Sequence, residues 1–327
     1  MRHSIRKPQS TQQRRQGRQL GLSLAFATTT LLAPVAPAGA DQFDQGNVTI
    51  RPFRNVELAR QHAAASLETE NLYGLTLGSD TDHAGARGIA VETLVGVGRG
   101  PGQYLALGSK LEFSRALTDT FAVSLSAQAG LRAIKGVAGL EDESRLRADG
   151  IGGEFRWRLR DRATDGVGIT LHSEPSIRFA DETSGKRGIG YGAENRLIID
   201  ATLLPGQLYG AVNLIYDIEM FRERGSTTWE RGSTGGVSAA FSANITPGLF
   251  LGADLRYLRA HEGLFLQSLA GQAIFAGPTL FWRGTGGFWL SGTVSTQLWG
   301  RARGSTAGLD HTNFTRMLAR LKIGMEF

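Results

Sequence analysis

Leu321-Lys322-Ile323-Gly324-Met325-Glu326-Phe327 closes the chain, and its reading decides the fold. Leu321, Ile323, Met325 and Phe327 alternate with Lys322, Gly324 and Glu326. A period of two is a strand, here with one apolar face and one polar face. Working backwards, the same alternation recurs in twelve runs between Gly88 and Phe327. They cover 88–98, 106–116, 121–134, 149–160, 167–179 and 188–203, then 207–221, 228–245, 249–260, 272–283, 287–300 and 314–327.

The connections alternate in length. Short ones fall at Leu117 to Thr120, Asp161 to Gly166, Leu204 to Gly206, Thr246 to Gly248 and Gly284 to Gly286. Longer ones occupy 135–148, 182–187, 261–271 and 301–313, and Gly98 to Leu105 joins them by parity. In outer-membrane barrels short turns are periplasmic and long loops external. With Phe327 on the periplasmic side, every short connection falls there. The run at 88–98 is then antiparallel to the last strand and closes the ring with an even number. A strand bearing a terminal aromatic resembles the closing strand of a bacterial outer-membrane barrel, the feature that the barrel assembly machinery reads. Leu321, Ile323, Met325 and Phe327 are its expected assembly signal. The fold class expected is therefore all-β, a transmembrane antiparallel up-and-down barrel.

The other end agrees. Residues 1–40 carry six basic residues and no acidic one, an apolar stretch from Leu20 to Val35, and Ala38-Gly39-Ala40 before Asp41. This is the pattern of a cleaved secretory signal peptide. Without it, 30 of the 36 basic residues remain against 30 acidic ones. A pI of about 9.9 thus belongs largely to the leader, and net charge gives no support to a nucleic-acid partner. With no cysteine, disulfides, thiolate metal sites and cysteine nucleophiles are excluded. After the leader, no run reaches the ~18 apolar residues of a membrane helix.

Thr69 to Gly78 also alternates, but a thirteenth strand would break the even count. Residues 41–87 read instead as a periplasmic or lumen-inserted extension, with a short helix at Val56 to Ser66, ahead of the barrel at 88–327. Asp80, Asp82 and His83 in this extension suit a polar turn better than a metal site; neither metal nor cofactor is expected.

Strand by strand the faces separate. Phe121, Val123, Leu125 and Leu131 oppose Ser124, Ser126, Gln128 and Arg132, and Phe155, Trp157 and Leu159 oppose Glu154, Arg156, Arg158 and Arg160. His172 and Glu174 oppose Leu171; Glu194, Arg196 and Asp200 oppose Leu197 and Ile199; Asn213, Asp217 and Glu219 oppose Val212 and Leu214. Counting from the turns puts Arg156, His172, Glu194 and Asp217 at similar depth. Arg132, Arg156, Arg158 and Arg160 then form a basic wall across from Glu194, Asp200, Asp217 and Glu219. Such walls either set a transverse field across a constriction or fill a narrow barrel with salt bridges. On this reading Leu214→Arg is far more damaging than Asn213→Arg. Outward Phe288, Trp299 and Phe327 fit interfacial aromatic girdles.

Catalysis finds little support. His172 and Ser173 are strand neighbours and point to opposite faces, too far apart for a nucleophile–base hydrogen bond. Asp310-His311 and His261 lie in or beside external loops and form no recognisable acid–base set.

Leu251-Gly252-Ala253-Asp254-Leu255-Arg256-Tyr257-Leu258-Arg259-Ala260, Gly277-Pro278-Thr279-Leu280 and Leu309-Asp310-His311-Thr312-Asn313-Phe314 resemble segments of uncharacterised alphaproteobacterial outer-membrane barrel proteins. Glu70 to Asp80 is similar to their N-terminal segment. The resemblance implies location and fold, and no activity. Three functions stay open: a passive channel or facilitator for small polar or charged solutes, a plugged structural or surface-interaction barrel working through its loops, and an outer-membrane hydrolase. Expected partners are outer-membrane lipids, periplasmic chaperones and the assembly machinery, with small solutes besides.

Overall fold

The computed structural model describes residues 67–327. The signal peptide expected at 1–40, the stretch 41–66 and the helix expected at Val56 to Ser66 lie outside the described residues. The strands are β1 Arg87–Val97, β2 Gln103–Thr118, β3 Phe121–Lys135, β4 Glu143–Arg160, β5 Val167–Ala180 and β6 Arg187–Leu204. There follow β7 Leu208–Glu223, β8 Glu230–Thr246, β9 Leu249–Glu262, β10 Ser268–Arg283, β11 Phe288–Ala302 and β12 Met317–Glu326. Each pairs with its chain neighbours, and β1 pairs antiparallel with β12, so twelve strands close into a barrel. The expected count and closure hold. Phe327 carries the seam one residue further, exchanging backbone bonds of 2.8 and 3.0 Å with Arg87.

The outer wall is apolar. Leu111, Phe113, Leu125, Phe155, Trp157, Leu171, Leu214 and Leu321 are all exposed there, while their sequence neighbours turn inward. A face of this kind belongs in lipid, where large apolar side chains meet no water.

The strands outrun their sequence-based bounds on the external side. β4 begins at Glu143 and not at 149, because its hairpin with β3 continues, pairing Ala133 with Ser144 and Arg132 with Arg145. A register shift beside Gln128 leaves Asp149 as an extra residue in this hairpin. Bulges re-aim side chains, and Asp149 there binds Arg132 at 2.6 Å. The external connections shrink accordingly, to five residues at 98–102 and at 263–267.

On the periplasmic side, β4 and β5 are joined by a single turn, α1 Arg162–Asp165, capped by the Asp161 carboxylate on the Ala163 amide. The stretch Thr69 to Gly78 is no strand; its backbone turns repeatedly, with Leu72 N–H on Thr69 O and Gly78 N–H on Glu70 O.

Candidate functional site in the barrel lumen

Leu67 to Asp82 lies against the inward side chains near the periplasmic end of the barrel. Two carboxylates hold it. Asp200 on β6 accepts from Thr69 Oγ1 at 2.5 Å and from Ser79 Oγ. Asp254 on β9 accepts from the amide and hydroxyl of Thr76 at 2.9 and 2.6 Å. Between them, Asn213 on β7 accepts from the Leu77 amide at 2.8 Å and donates to the Leu77 carbonyl at 2.9 Å. The side chain thereby serves the segment as a strand neighbour would.

Cations take the segment's carbonyls. Arg156 donates to Gly78 O at 2.7 Å and to Asp80 O at 3.1 Å. Arg320 donates to Gly74 O, Arg162 to Leu67 O at 2.8 Å and to the Asp80 carboxylate at 2.7 Å. Ser291 and Thr170 hydroxyls complete the ring on Asn71 O and Ser79 O. Gly74 is required here: its φ is +77°, and a Cβ would sit 2.8 Å from Thr279 Cγ2. Gly78 is equally tight, since a Cβ would fall 2.1 Å from Thr69 O.

Beneath this polar seal is an apolar core that alternation did not reveal. Leu67, Leu72 and Tyr73 pack with Tyr209, Phe250, Phe281 and Trp289, all inward-facing at the periplasmic ends of their strands. Burying Leu72 completely contributes roughly 1.5–3 kcal/mol, whereas Tyr73 is buried with its hydroxyl unpaired among the described residues.

Further along the lumen the inward charges form a chain of ion pairs. Arg320 meets Glu92 at 2.9 Å, Lys322 meets Glu112 at 3.2 Å, and Lys110 meets Glu174 at 2.9 Å. His172 Nε2 lies 3.5 Å from Glu154. Glu154, His172 and Glu174 offer ligand atoms within 4.8 Å of one another, but the Lys110 ammonium already occupies Glu174. Ser173 points the other way, onto Asn195 at 2.8 Å, so the pair builds no nucleophile.

The expected walls are rearranged. Arg156 does pair with His172, and Glu194 with Asp217, yet His172 faces Arg196 and Glu194 faces Glu174. The offset lies between β5 and β6, whose register sets Arg196 and not Glu194 opposite His172. Most of the wall charges take partners close by, although Arg132 and Glu194 line one cavity. Arg132 binds Asp149, Arg158 lies 3.6 Å from Asp161, and the half-exposed Arg160 is 3.6 Å from Asp165. Arg196 bridges Glu194 and Asp217, and Arg178 takes Glu219 at 3.0 Å. The contrast drawn for Asn213 also fails, because Asn213 is 0% exposed and grips Leu77. An arginine there has no space that leaves the segment in place.

At the external end a cavity of about 350 Å³ opens among Arg99, Tyr104, Arg132, Arg178, Glu182 and Glu194. Asp310 is fully buried beneath the last external loop, accepting from the Thr312 and Asn313 amides at 3.1 and 3.0 Å. Its carboxylate is thus structural. At the periplasmic end, Asp80, Asp82 and His83 part company: Asp80 turns to Arg162, His83 is exposed, and Asp82 joins Glu68 and Glu326. Burial, followed by the neighbouring carboxylate Glu326, lifts Glu68 to about 7. Burial and Glu70 lift Asp82 to about 7.

Residues 65–327 match a family described as being of unknown function, DUF6662. The chain belongs to DUF6662. No curated protein matches it. Among solved structures, this DUF6662 member is similar to the COG4313 outer membrane channel from Pseudomonas putida F1, with a TM-score of 0.50 and 13% identity over 76% of this chain and 98% of that one. The NalP autotransporter translocator domain from Neisseria meningitidis gives 0.45 and 13%, covering 84% and 95%. The NanC porin gives 0.42 and 12%, covering 73% and 98%. At such identities the likeness is one of fold, that of an outer-membrane β-barrel.

Proposed function

We propose that this protein is an outer-membrane barrel closed by its own N-terminal segment, working through its external face and not as an open passive pore. One observation carries the reading: Asp200, Asp254, Asn213, Arg156 and Arg320 all bind the segment Thr69 to Asp80. A lumen so filled leaves no water column at its periplasmic end. The external cavity beside Arg132 and Arg178 is the concave surface that remains for a small polar or charged ligand.

A second reading, a facilitator for small solutes, is supported by the polar character of the seal. Water can take over hydrogen bonds of this kind, so the segment can leave without dismantling the strands, at the cost of exposing Leu72 and Tyr73. A hydrolase is disfavoured by the separation of His172 from Ser173 and the structural role of Asp310. Export through the leader at 1–40, assembly by way of Phe327 with periplasmic chaperones, and an alphaproteobacterial outer membrane as the setting belong to the same proposal.

The test is solute flux. Refolded protein in liposomes should admit neither small sugars nor amino acids beyond the rate of protein-free vesicles. Swelling at the rate of a general porin would sink the closed-barrel reading.

A further inference from the structure

The outer wall changes character near the external ends of β9, β10 and β11. Arg259, Gln272 and Arg301 stand in one register row across these three strands. They share the outward face, since Ala273 beside Gln272 is fully buried and strand neighbours alternate. Adjacent strands lie about 4.8 Å apart, which puts the two arginine backbones about 10 Å from each other. Both arginines are exposed, and among the described residues neither forms an ion pair. Glu262, further along β9, goes to Arg303 at 3.5 Å. Arg301 gives only its Nε, to Ser305 O at 3.3 Å. Between the arginines, Gln272 accepts from the Tyr257 hydroxyl at 2.6 Å and keeps its amide nitrogen for another acceptor. Toward the periplasmic side the same face is apolar, with Leu255, Leu298 and Trp299 all exposed.

The connection between β9 and β10 adds an apolar ridge to this face. It lies back over the outer wall: Ser233 Oγ donates to Gly263 O at 2.7 Å and accepts from the Leu266 amide at 3.1 Å, while the Tyr216 hydroxyl donates to Leu264 O at 2.6 Å. Gly235 pairs with Arg259, and a Cβ on Gly235 would sit 3.2 Å from Leu266 Cδ2. Leu266 therefore rests on the wall beside Arg259. It does so at a φ of +52°, alone among the described non-glycine residues, a conformation held only where surrounding contacts impose it. Phe265 at the crest is 75% exposed.

We propose that Arg259, Gln272 and Arg301, with the Phe265–Leu266 ridge beside them, bind a phosphorylated glycolipid of the outer leaflet. Its phosphates take the two guanidiniums, whose planar forks match phosphate oxygens, and its acyl chains run along Leu255, Leu298 and Trp299. Charge selects the headgroup: unpaired cations on a wall that faces lipid call for an anion, and the apolar residues beside them call for chains attached to it. Spacing selects the glycolipid, because two separated cations suit two phosphates on one sugar headgroup better than the single phosphate of a glycerophospholipid. The site rests on the outer-membrane placement of the barrel and not on whether the lumen is closed.

The experiment is native mass spectrometry of the refolded mature chain in detergent. The probes are lipid A bearing both phosphates, the same lipid A after phosphatase treatment, and dioleoyl phosphatidylglycerol. The expected result is one bisphosphorylated lipid A per barrel, bound at least tenfold tighter than either comparator. Arg259→Gln with Arg301→Gln should weaken it at least tenfold and Phe265→Ser at least threefold. Arg115→Gln, an exposed arginine at the periplasmic end of β2, should change nothing. Heat-modifiability establishes that each variant is folded, and Arg301→Gln alone keeps the test available if the double variant is not. Equal binding of phosphatidylglycerol, or lipid A binding indifferent to the arginine pair, overturns the site. Membrane fractionation of cells reads the outer-membrane placement separately, so the two failures are distinct.

Discussion

Replacing Asn213 by alanine isolates the seal from the barrel. The side chain is fully buried and makes two bonds, 2.8 Å from the Leu77 amide and 2.9 Å to the Leu77 carbonyl. Its removal takes nothing from the β7 ladder but strands one donor and one acceptor of the inserted segment. Each buried group left unpaired costs roughly 1–3 kcal/mol, so the pair costs roughly 2–6 kcal/mol, toward the lower figure if water enters the vacated space. At 1.4 kcal/mol per decade, even 2 kcal/mol raises the detached fraction about 30-fold. The chain has no cysteine, so a single Leu75→Cys is a unique reporter on the segment. Its maleimide labelling rate, measured in the folded barrel with and without Asn213→Ala, reads that fraction directly. An unchanged rate in a heat-modifiable barrel would refute the argument that Asn213 holds the segment.

Three further outcomes follow from the same geometry. Deleting Phe327, which continues the β1–β12 seam through its bonds to Arg87, should lower the yield of heat-modifiable barrel in the outer membrane, as read by protease protection of intact cells. Leu214→Arg, on the exposed outer wall of β7, should destabilise by ~2–4 kcal/mol if it lies near the bilayer midplane, measured by urea unfolding in lipid. The segment should also respond to pH. Glu68 and Asp82 titrate near 7 when docked and near ~4 when released into water. The docked state therefore binds more protons between those values, so docking is strongest on the acid side and is lost as pH rises through 7. Leu75→Cys labelling, normalised to an exposed Ala84→Cys, should rise from pH 5 to pH 8, and Glu68→Gln should flatten part of that rise.

Strands and closure were legible because lipid imposes a strict rule on each outward position. Trp157 and Leu321 each stand between two basic neighbours, so the outward face is marked in the sequence, and parity then forces an even ring. The external strand ends were not legible, because beyond the lipid the rule lapses: Glu143 to Ala148 reads as a polar loop yet forms half of a hairpin. The lumen was legible only residue by residue. Arg156, His172, Asp200 and Asp217 all point inward as expected, but the β5–β6 register sets Arg196, and not Glu194, opposite His172, and alternation fixes a residue's face without fixing its partner across the strands. The inserted segment hid its role for another reason. Thr76 meets Asp254 across 178 positions, and Glu68 meets Glu326 only because the last strand closes beside the segment. Aromatic Tyr209, Phe250, Phe281 and Trp289, inward at the periplasmic strand ends, were the available signal, since a wet lumen has no use for four such rings.

Single-channel recording in a planar bilayer tests the central claim most directly. Refolded mature protein should insert and remain electrically silent, and Asn213→Ala should bring discrete openings as the segment leaves the lumen. A steady open conductance from the unaltered protein, with no change on Asn213→Ala, would contradict a barrel closed by residues 67–82.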